Sequence, residues 1–215
     1  MSEQSSKHNF GPYIVDSVET RSRVISIHEF LNNSECNELV NLINQKSCIS
    51  YVASSNPKVN HNDLEYRNSQ TCRFDASLQI IDSIKDRISL VLGLTSNLCE
   101  PITGQKYTKG QFFRLHYDWF GEDWSDSYKS KSGDRTHTFM VYLNQSFCGG
   151  MTNFPLLDEC FRPETGKAIY WQNLDDNCAG NTKMLHESTA VFSGEKYVMT
   201  TWWRQKPICS MDGIF

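Results

Sequence analysis

The sequence predicts an α+β protein in which two helices are followed by a core of short β-strands. Helical periodicity is confined to the first half of the chain, whereas short strand patterns separated by turn residues fill the second half. Helices that precede a block of strands are typical of folds in which the helices pack beside an antiparallel sandwich or barrel. A chain of 215 residues is long enough to bury one such core.

The composition divides the N-terminal part of the chain at about residue 22. Residues 1–22 are polar, and we expect a flexible segment there, frayed or extended, ahead of a single domain over residues 23–215. Val24–His28 alternates and is rich in β-branched residues, which predicts the first strand of that domain.

Capping residues and apolar spacing predict the two helices. Asn33 or Ser34 can cap the first. The second is predicted from about Ala76 to Leu92, because apolar residues recur there every three or four positions, and Gly93 suits its end. The strands of the core are expected near residues 104–117, 137–144, 151–154, 167–172, 189–192 and 196–204.

Two loops are expected at the entrance of any site on this core. Residues 50–70 lack periodicity, and residues 119–135 carry aromatic side chains among polar ones. Aromatic side chains are costly to leave in water, so these loops either form a lid that orders over a substrate or pack back onto the domain.

Composition argues against several classes of function. The net charge of −4 and the pI of about 5.9 give no basic surface for nucleic acid or an anionic membrane. No apolar run is long enough to span a bilayer, and the first eight residues lack the apolar stretch of a secretory signal, so we expect a cytoplasmic protein. The eight cysteines show no C-x-x-C pair, and we expect free, mostly buried thiols.

The chemically informative stretch begins at His116 and Asp118. Residues two apart on a strand point to the same face, so this imidazole and this carboxylate can converge on one point. Together they suit a divalent transition metal, and a third ligand would complete a 2-His-1-carboxylate face with open positions. His186 lies just before the last predicted strands, where a late strand can meet an early one. A chance pair on a strand end and a surface histidine are the alternatives.

Lys196 follows ten residues after His186. On its strand, Lys196 shares a face with Val198, Thr200 and Trp202. An inward lysine is costly unless it meets an anion. A metal with such a cation beside it suits a dicarboxylate that chelates the metal at one end and pairs with lysine at the other, as 2-oxoglutarate can. A lysine that faces the surface is the alternative.

A series of short motifs runs in fixed order through the second half of the chain. They are Tyr107-x-x-Gly110-Gln111-Phe112-Phe113-x-x-His116-x-Asp118, Arg135-Thr136-His137-Thr138-Phe139-Met140-Val141-Tyr142-Leu143-Asn144, Gly149-Gly150-Met151-Thr152-Asn153-Phe154-Pro155, Pro163-x-x-Gly166-x-Ala168, His186-Glu187, Gly194-x-Lys196 and Trp202. In order and spacing they resemble the prolyl 4-hydroxylase branch of the Fe(II)/2-oxoglutarate oxygenases. The resemblance extends from about Val24 to Arg204.

The resemblance implies a double-stranded β-helix, or jelly-roll, core with the N-terminal helices packed on one sheet. It implies iron at His116, Asp118 and His186, and it places the distal carboxylate of 2-oxoglutarate on Lys196. These four residues form the expected catalytic set.

Further residues are implied around the 2-oxoglutarate pocket. Tyr107 stands where the family has a tyrosine that contacts the co-substrate, but simple alternation puts Tyr107 out of phase with His116. A bulge near Gly110 would restore the phase. Other candidates for lining the cofactor pocket are Thr138, Tyr142 and Thr200.

Three residues align with positions that the family uses near its substrate. Glu100 and Arg135 correspond to substrate-binding positions, and Trp202 corresponds to a tryptophan beside the pocket. The alternatives are a solvated carboxylate, a loop charge and a core tryptophan.

Two departures from the family pattern concern the substrate more than the chemistry. Met151 replaces the usual glutamate of the Gly-Gly-Glu-Thr motif, and Arg204 replaces a histidine that is frequent in peptide hydroxylases. Asp118 favours hydroxylation over halogenation, since related halogenases lack this carboxylate.

The resemblance implies hydroxylation of an unactivated C–H bond with Fe(II), 2-oxoglutarate and O2, and with ascorbate as a candidate reductant. A prolyl residue in a peptide or protein is the leading substrate, and a free amino acid or small natural product is the alternative. A catalytically silent metal-binding interaction module is a further alternative, against which the complete ligand set and Lys196 argue. No nucleic-acid or membrane partner is expected.

Overall fold

A computed structural model of the chain describes residues 7–10, 13–16, 24–50, 64–120 and 131–208. Its α-helices are α1 (Asn33–Lys46) and α2 (Gln79–Leu92), and short 3-10 turns occupy Ser96–Leu98 and Thr182–Met184. The strands are β1 (Lys7–Phe10), β2 (Tyr13–Asp16), β3 (Val24–Ile27), β4 (Cys48–Ile49), β5 (Gln70–Arg73), β6 (Thr103–Tyr107), β7 (Phe113–His116), β8 (Arg135–Tyr142), β9 (Cys148–Gly149), β10 (Thr152–Phe154), β11 (Glu159–Phe161), β12 (Ala168–Gln172), β13 (His186–Ser188), β14 (Val191–Ser193) and β15 (Lys196–Arg204). No helix within these ranges is long and apolar enough to cross a membrane.

The strands form two antiparallel sheets and one short strand pair. The major sheet has nine strands in the order β1-β2-β3-β12-β8-β15-β6-β5-β4, and the minor sheet has four in the order β11-β10-β13-β7. Strands β9 and β14 form the separate pair. Neighbouring strands of the major sheet, such as β12, β8 and β15, are far apart in sequence, as expected for a jelly roll. The predicted double-stranded β-helix with helices on one sheet is confirmed.

Side-chain alternation on β8 divides the core into two layers. Phe139 and Val141 point toward the helices, and Met140 and Tyr142 point toward the minor sheet. Fully buried helix residues complete the first layer: Leu39, Ile43, Ile84 and Ile88. Burial of each such side chain stabilises the fold by about 1.5–3 kcal/mol. This apolar layer therefore supports the major sheet from outside, and the space between the sheets is available for polar residues.

The structure confirms the predicted end of α2 and corrects the predicted starts of both helices. The cap of α1 is Asn32 and not Asn33 or Ser34, because Asn32 forms a reciprocal capping box with Glu35. Helix α2 begins at Gln79, three residues after the predicted Ala76. The predicted end is confirmed, since Gly93 takes the left-handed conformation with φ of 65°.

The predicted strand over residues 104–117 is wrong, because the structure has two strands there in different sheets. Strand β6 belongs to the major sheet and β7 to the minor sheet. The turn between them contains Gly110 with φ of 83°. The predicted bulge near Gly110 is therefore replaced by a crossing between sheets. This crossing lets Tyr107 and His116 face the same interior despite their odd spacing.

Two further expectations concern the N-terminal segment and the cysteines. Strands β1 and β2 lie within residues 1–22, and β2 pairs with β3, so part of this segment joins the major sheet. The domain boundary at residue 22 stays a prediction.

The expectation of mostly buried thiols is wrong. All seven described cysteines are free, but four of them are exposed: Cys48, Cys148, Cys160 and Cys178.

The proposed lid loops are only partly described. Residues 51–63 and 121–130 lie outside the described residues, so the lid stays a prediction. Where the second loop begins, Phe120 is buried, and the ring of Trp119 covers Gly180 so closely that an added Cβ would lie 2.4 Å from it. These two aromatic side chains pack back onto the domain.

Gly104 tests the contact between helix α1 and the major sheet. A Cβ on Gly104 would lie 2.4 Å from Cγ1 of Ile43 and 2.8 Å from the Phe74 ring. We expect Gly104→Ala to lower the free energy of unfolding by about 1–3 kcal/mol because it overpacks this layer. Urea denaturation would measure the change.

A double mutant supplies the matched control for this test. Ile43→Val removes Cδ1, which would lie 2.6 Å from the new Cβ, so the combined loss should be smaller than the sum of the single losses. Leu90→Ala, at a residue that is 81% exposed, should change stability by only about 0.5 kcal/mol. Strictly additive losses would contradict the proposed contact.

Candidate active site

The pairing of β13 with β7 brings together the three predicted metal ligands. His186 lies directly opposite His116 in this antiparallel pair, and Asp118 follows two residues later. Nε2 of His116 lies 3.7 Å from Oδ1 of Asp118, and Nε2 of His186 lies 3.7 Å from Oδ2. All three ligand atoms are within 4.8 Å of one another. The sequence prediction that these residues converge is confirmed.

Backbone carbonyls orient both imidazoles. Nδ1 of His116 lies 2.8 Å from the carbonyl oxygen of Arg114, and Nδ1 of His186 lies 2.9 Å from that of Met184. A carbonyl oxygen can only accept a hydrogen bond, so each Nδ1 carries the hydrogen. Each Nε2 is therefore left with its lone pair directed toward the site, as a metal ligand requires.

The protonation states also suit metal binding. Burial, followed by the neighbouring His186, lowers the pKa of His116 to about 3, so this imidazole is neutral at physiological pH. Burial alone would raise the pKa of the Asp118 carboxyl, but His186 and His116 outweigh it and hold this pKa below its ordinary value. A neutral imidazole at His116 beside the Asp118 carboxylate suits a divalent metal of the kind that a 2-His-1-carboxylate site binds.

Lys196 lies inside the same cavity and is only 1% exposed. Its Nζ donates a hydrogen bond to Oγ of Ser188 at 2.8 Å and lies over the rings of Tyr107 and Tyr142 at 5.0 and 5.8 Å. Burial lowers the pKa of Lys196 to about 7. Among the described residues, no carboxylate lies within ion-pair distance of Lys196. The residues therefore fit a dicarboxylate that would bring the missing negative charge.

Most of the predicted site residues line one cavity between the sheets. Those that line it are His116, Asp118, His186, Lys196, Tyr107, Thr138, Thr200 and Trp202. Thr138 lies nearer the metal ligands than expected, because its hydroxyl donates to Oδ2 of Asp118 at 2.7 Å. Thr200 donates to Oε1 of Gln105 at 3.0 Å.

Tyr142 lies behind this cavity and does not line it. It is fully buried, and its hydroxyl donates to Oγ1 of Thr152 at 2.7 Å. The bond joins the major sheet to the minor sheet beneath Lys196. The Tyr142 ring contacts Lys196. Direct contact between Tyr142 and a cofactor stays a prediction.

Glu100 and Arg135 lie outside the lining but against Trp202, which belongs to it. Glu100 is 3% exposed and accepts two hydrogen bonds from Arg135, both at 2.8 Å, and one from Nη1 of Arg204 at 2.9 Å. The guanidinium of Arg135 stacks on Trp202 at 3.9 Å. Neither a solvated Glu100 nor a loop position for Arg135 fits this arrangement, and the role of both in substrate binding stays a prediction.

The sequence analysis missed several residues that line the cavity. Ser188 follows His186 by two residues on β13, so simple alternation could have placed it in the cavity. Arg67 also lines the cavity, where it stacks on Phe113 at 4.5 Å and donates to the hydroxyls of Ser69 and Thr71. Strand alternation gives no signal for Arg67, because it precedes β5, although Arg67-Asn68-Ser69 resembles a segment of the oxygenase family.

The fold and the site together are typical of a non-haem Fe(II), 2-oxoglutarate-dependent oxygenase. Residues 102–204 match the model of the 2OG-Fe(II) oxygenase superfamily. The chain is similar to prolyl 4-hydroxylase 1 of Arabidopsis thaliana, with 26% identity over 199 residues that cover 86% of this chain and 69% of that protein. It has the same identity to prolyl 4-hydroxylase subunit alpha-1 of Homo sapiens over 191 residues, 86% of this chain but 35% of that subunit.

A solved structure shows the same likeness. The viral collagen prolyl hydroxylase of Paramecium bursaria Chlorella virus-1, in complex with 2OG, superposes with a TM-score of 0.66 at 25% identity. The match covers 86% of this chain and 97% of the viral chain. The chain is therefore similar to the 2OG-Fe(II) oxygenases over residues 102–204 and to prolyl 4-hydroxylases over most of its length.

The metal ligands can be tested by metal binding without turnover. Mutation of a residue that only supports a metal ligand weakens metal binding by roughly 10- to 100-fold. Because His186 is itself a predicted ligand, we expect His186→Ala to weaken Co(II) binding by more than this. Calorimetric titration with Co(II) under nitrogen would measure it. His137→Ala is the matched control, because His137 is outside the cavity and its ring contacts Thr136. Equal losses in the two variants would contradict the assignment.

Proposed function

We propose that this chain hydroxylates a prolyl residue within a peptide or protein, with Fe(II), 2-oxoglutarate and O2. The observation that carries the proposal is the convergence of His116, Asp118, His186 and the buried Lys196 on one cavity. A silent binding module has no need for an ammonium group buried beside a complete ligand set, since that burial costs free energy.

Each group in the cavity has a distinct role in this reaction. Bound Fe(II), 2-oxoglutarate and O2 supply an oxidation in which 2-oxoglutarate yields succinate and CO2 while a C–H bond becomes C–OH. His116, Asp118 and His186 would hold the metal, and Lys196 would pair with the distal carboxylate. Ser188 holds the Lys196 ammonium in place. The sheets on either side exclude water from the reacting atoms.

The side of the cavity near Trp202 offers contacts for a substrate. Trp202 presents an apolar ring there, and Arg135 stacks on that ring. An aromatic surface beside a hydrogen-bond donor suits a proline ring and its neighbouring carbonyl group. The likeness to a viral collagen prolyl hydroxylase over 97% of that chain supports a peptide substrate. A free amino acid is the second candidate substrate. The cytoplasmic location of the protein stays a prediction.

Succinate formation tests the reaction and the substrate class together. Protein loaded anaerobically with Fe(II) is exposed to air with 2-oxoglutarate, with or without a panel of proline-rich peptides or free proline. We expect peptides to stimulate succinate formation and to gain one oxygen atom by mass spectrometry. His186→Ala should lose both signals. Stimulation by free proline alone would transfer the proposal to an amino acid, and no turnover despite bound iron would overturn it.

The buried lysine predicts a pH dependence for co-substrate binding. The pKa of Lys196 is lowered to about 7 by burial, and the distal carboxylate of 2-oxoglutarate needs the charged form. The affinity for 2-oxoglutarate should therefore be greatest below pH 7 and should fall by about tenfold per pH unit above it, until the pKa of the bound state is reached. The dissociation constant would be measured with Mn(II)-loaded protein under nitrogen.

Lys196→Arg is the control for this profile. Arginine stays charged at every pH in the range, so its affinity for 2-oxoglutarate should be lower but independent of pH. A wild-type profile as flat as that of the arginine variant would contradict the role of Lys196.

A further inference from the structure

We propose that Asn173 and Thr138 are positioning residues that hold the Asp118 carboxylate in a one-oxygen binding mode toward the metal. The inference rests on the metal-binding part of the proposed function and is independent of which substrate is hydroxylated. Asn173 lies one residue after β12 and has no place in the motifs that predict the site.

The three side chains form one buried chain of hydrogen bonds. Nδ2 of Asn173 lies 2.8 Å from Oγ1 of Thr138, and this Oγ1 lies 2.7 Å from Oδ2 of Asp118. Asn173 and Thr138 are both 0% exposed, and Asp118 is 7% exposed. The contacts are therefore shielded from the water that would otherwise compete for them.

Chemistry fixes the direction of every bond in this chain. An ionised carboxylate can only accept, so the Thr138 hydroxyl donates its single hydrogen to Asp118. The Thr138 oxygen must then accept from Asn173, which presents its NH2 group and not its carbonyl. Oδ1 of Asn173 is left without a hydrogen-bond partner among the described residues. A buried acceptor without a partner is destabilising, so the fold keeps this amide orientation for the bond it gives to Thr138.

The backbone holds Asn173 firmly in this position. Its N–H donates to the carbonyl of Thr136 at 2.8 Å, and its carbonyl accepts from the N–H of Asn181 at 2.8 Å. Both neighbouring strands are paired in register, with Trp171 opposite Thr138. The Asn173 amide therefore approaches Thr138 from a rigid element.

The consequence concerns how many coordination positions Asp118 uses. The Thr138 hydroxyl draws on the lone pairs of Oδ2, so Oδ1 would be the stronger donor to a bound metal. A carboxylate that bound through both oxygens would use a position on the open face that a 2-His-1-carboxylate site offers to co-substrate and O2. The chain from Asn173 through Thr138 therefore keeps that face available.

The test reads the metal directly and needs neither substrate nor O2. Co(II) is titrated under nitrogen, and its affinity and visible absorption spectrum are recorded for the wild type, Thr138→Val, Thr138→Ser and Asn173→Leu. We expect Thr138→Val, which keeps the shape but removes the hydroxyl, to weaken Co(II) about tenfold and to change its spectrum. Thr138→Ser restores the hydroxyl and should remain within about twofold of the wild type. Asn173→Leu should give an intermediate loss with the same spectral change.

Thermal unfolding of each variant distinguishes positioning from loss of fold. A folded Thr138→Val with wild-type affinity and spectrum would overturn the inference, as would a Thr138→Ser variant as impaired as the valine variant. If the valine variant does not fold, an Asn173→Leu protein with the wild-type spectrum is the overturning result. If the protein fails to hydroxylate peptides, the proposed substrate is wrong but the Co(II) measurements can still be interpreted. If His186→Ala binds Co(II) as tightly as the wild type, the proposed metal site itself is wrong.

Discussion

The antiparallel pairing of β13 with β7 is the interaction on which the site depends. It places His186 opposite His116, and side chains that alternate along strands allow this only in one register. A slip by one residue would turn one imidazole away from Asp118. Packing on both histidines supports the register, because Phe113 stacks on His116 at 3.7 Å and Trp171 meets His186 edge-on at 4.8 Å. The metal ligands are therefore fixed by aromatic contacts within the cavity as well as by the backbone.

The rest of the structure compensates for a polar interior. Asp118, Lys196 and Thr138 are buried between the sheets, where charged and polar groups are costly unless they are paired. The layer between the helices and the major sheet is filled mainly by aliphatic and aromatic side chains. Since burial of that layer does not depend on the cavity, the fold can tolerate an ammonium group whose pKa is strongly lowered. A bound dicarboxylate would relieve this cost, which couples co-substrate affinity to the fold.

The departures from the family pattern lie around the cavity and leave the ligand set intact. Met151 does not line the cavity, and its sulfur lies 3.8 Å from Sγ of Cys160. Arg204 has a more direct consequence, because with Arg135 it occupies the oxygens of Glu100. Arg135 and Arg204 therefore pair with the same carboxylate behind Trp202. The substitution thus adds a charge-paired guanidinium near Trp202, and the three metal ligands are unchanged.

The sequence by itself determined the chemistry, because period-two alternation and motif spacing are local properties. His116, Asp118 and Lys196 were predicted to face the interior, and the helix end at Gly93 was predicted from glycine's tolerance of positive φ. Only the tertiary structure decided which groups meet across the sheets. The crossing at Gly110, the Ser188–Lys196 bond, the burial of Glu100 under Arg204 and the Asn173–Thr138–Asp118 chain all join residues from different strands or loops. No local pattern predicts such contacts, since their geometry depends on strand order and register, which non-local pairing sets.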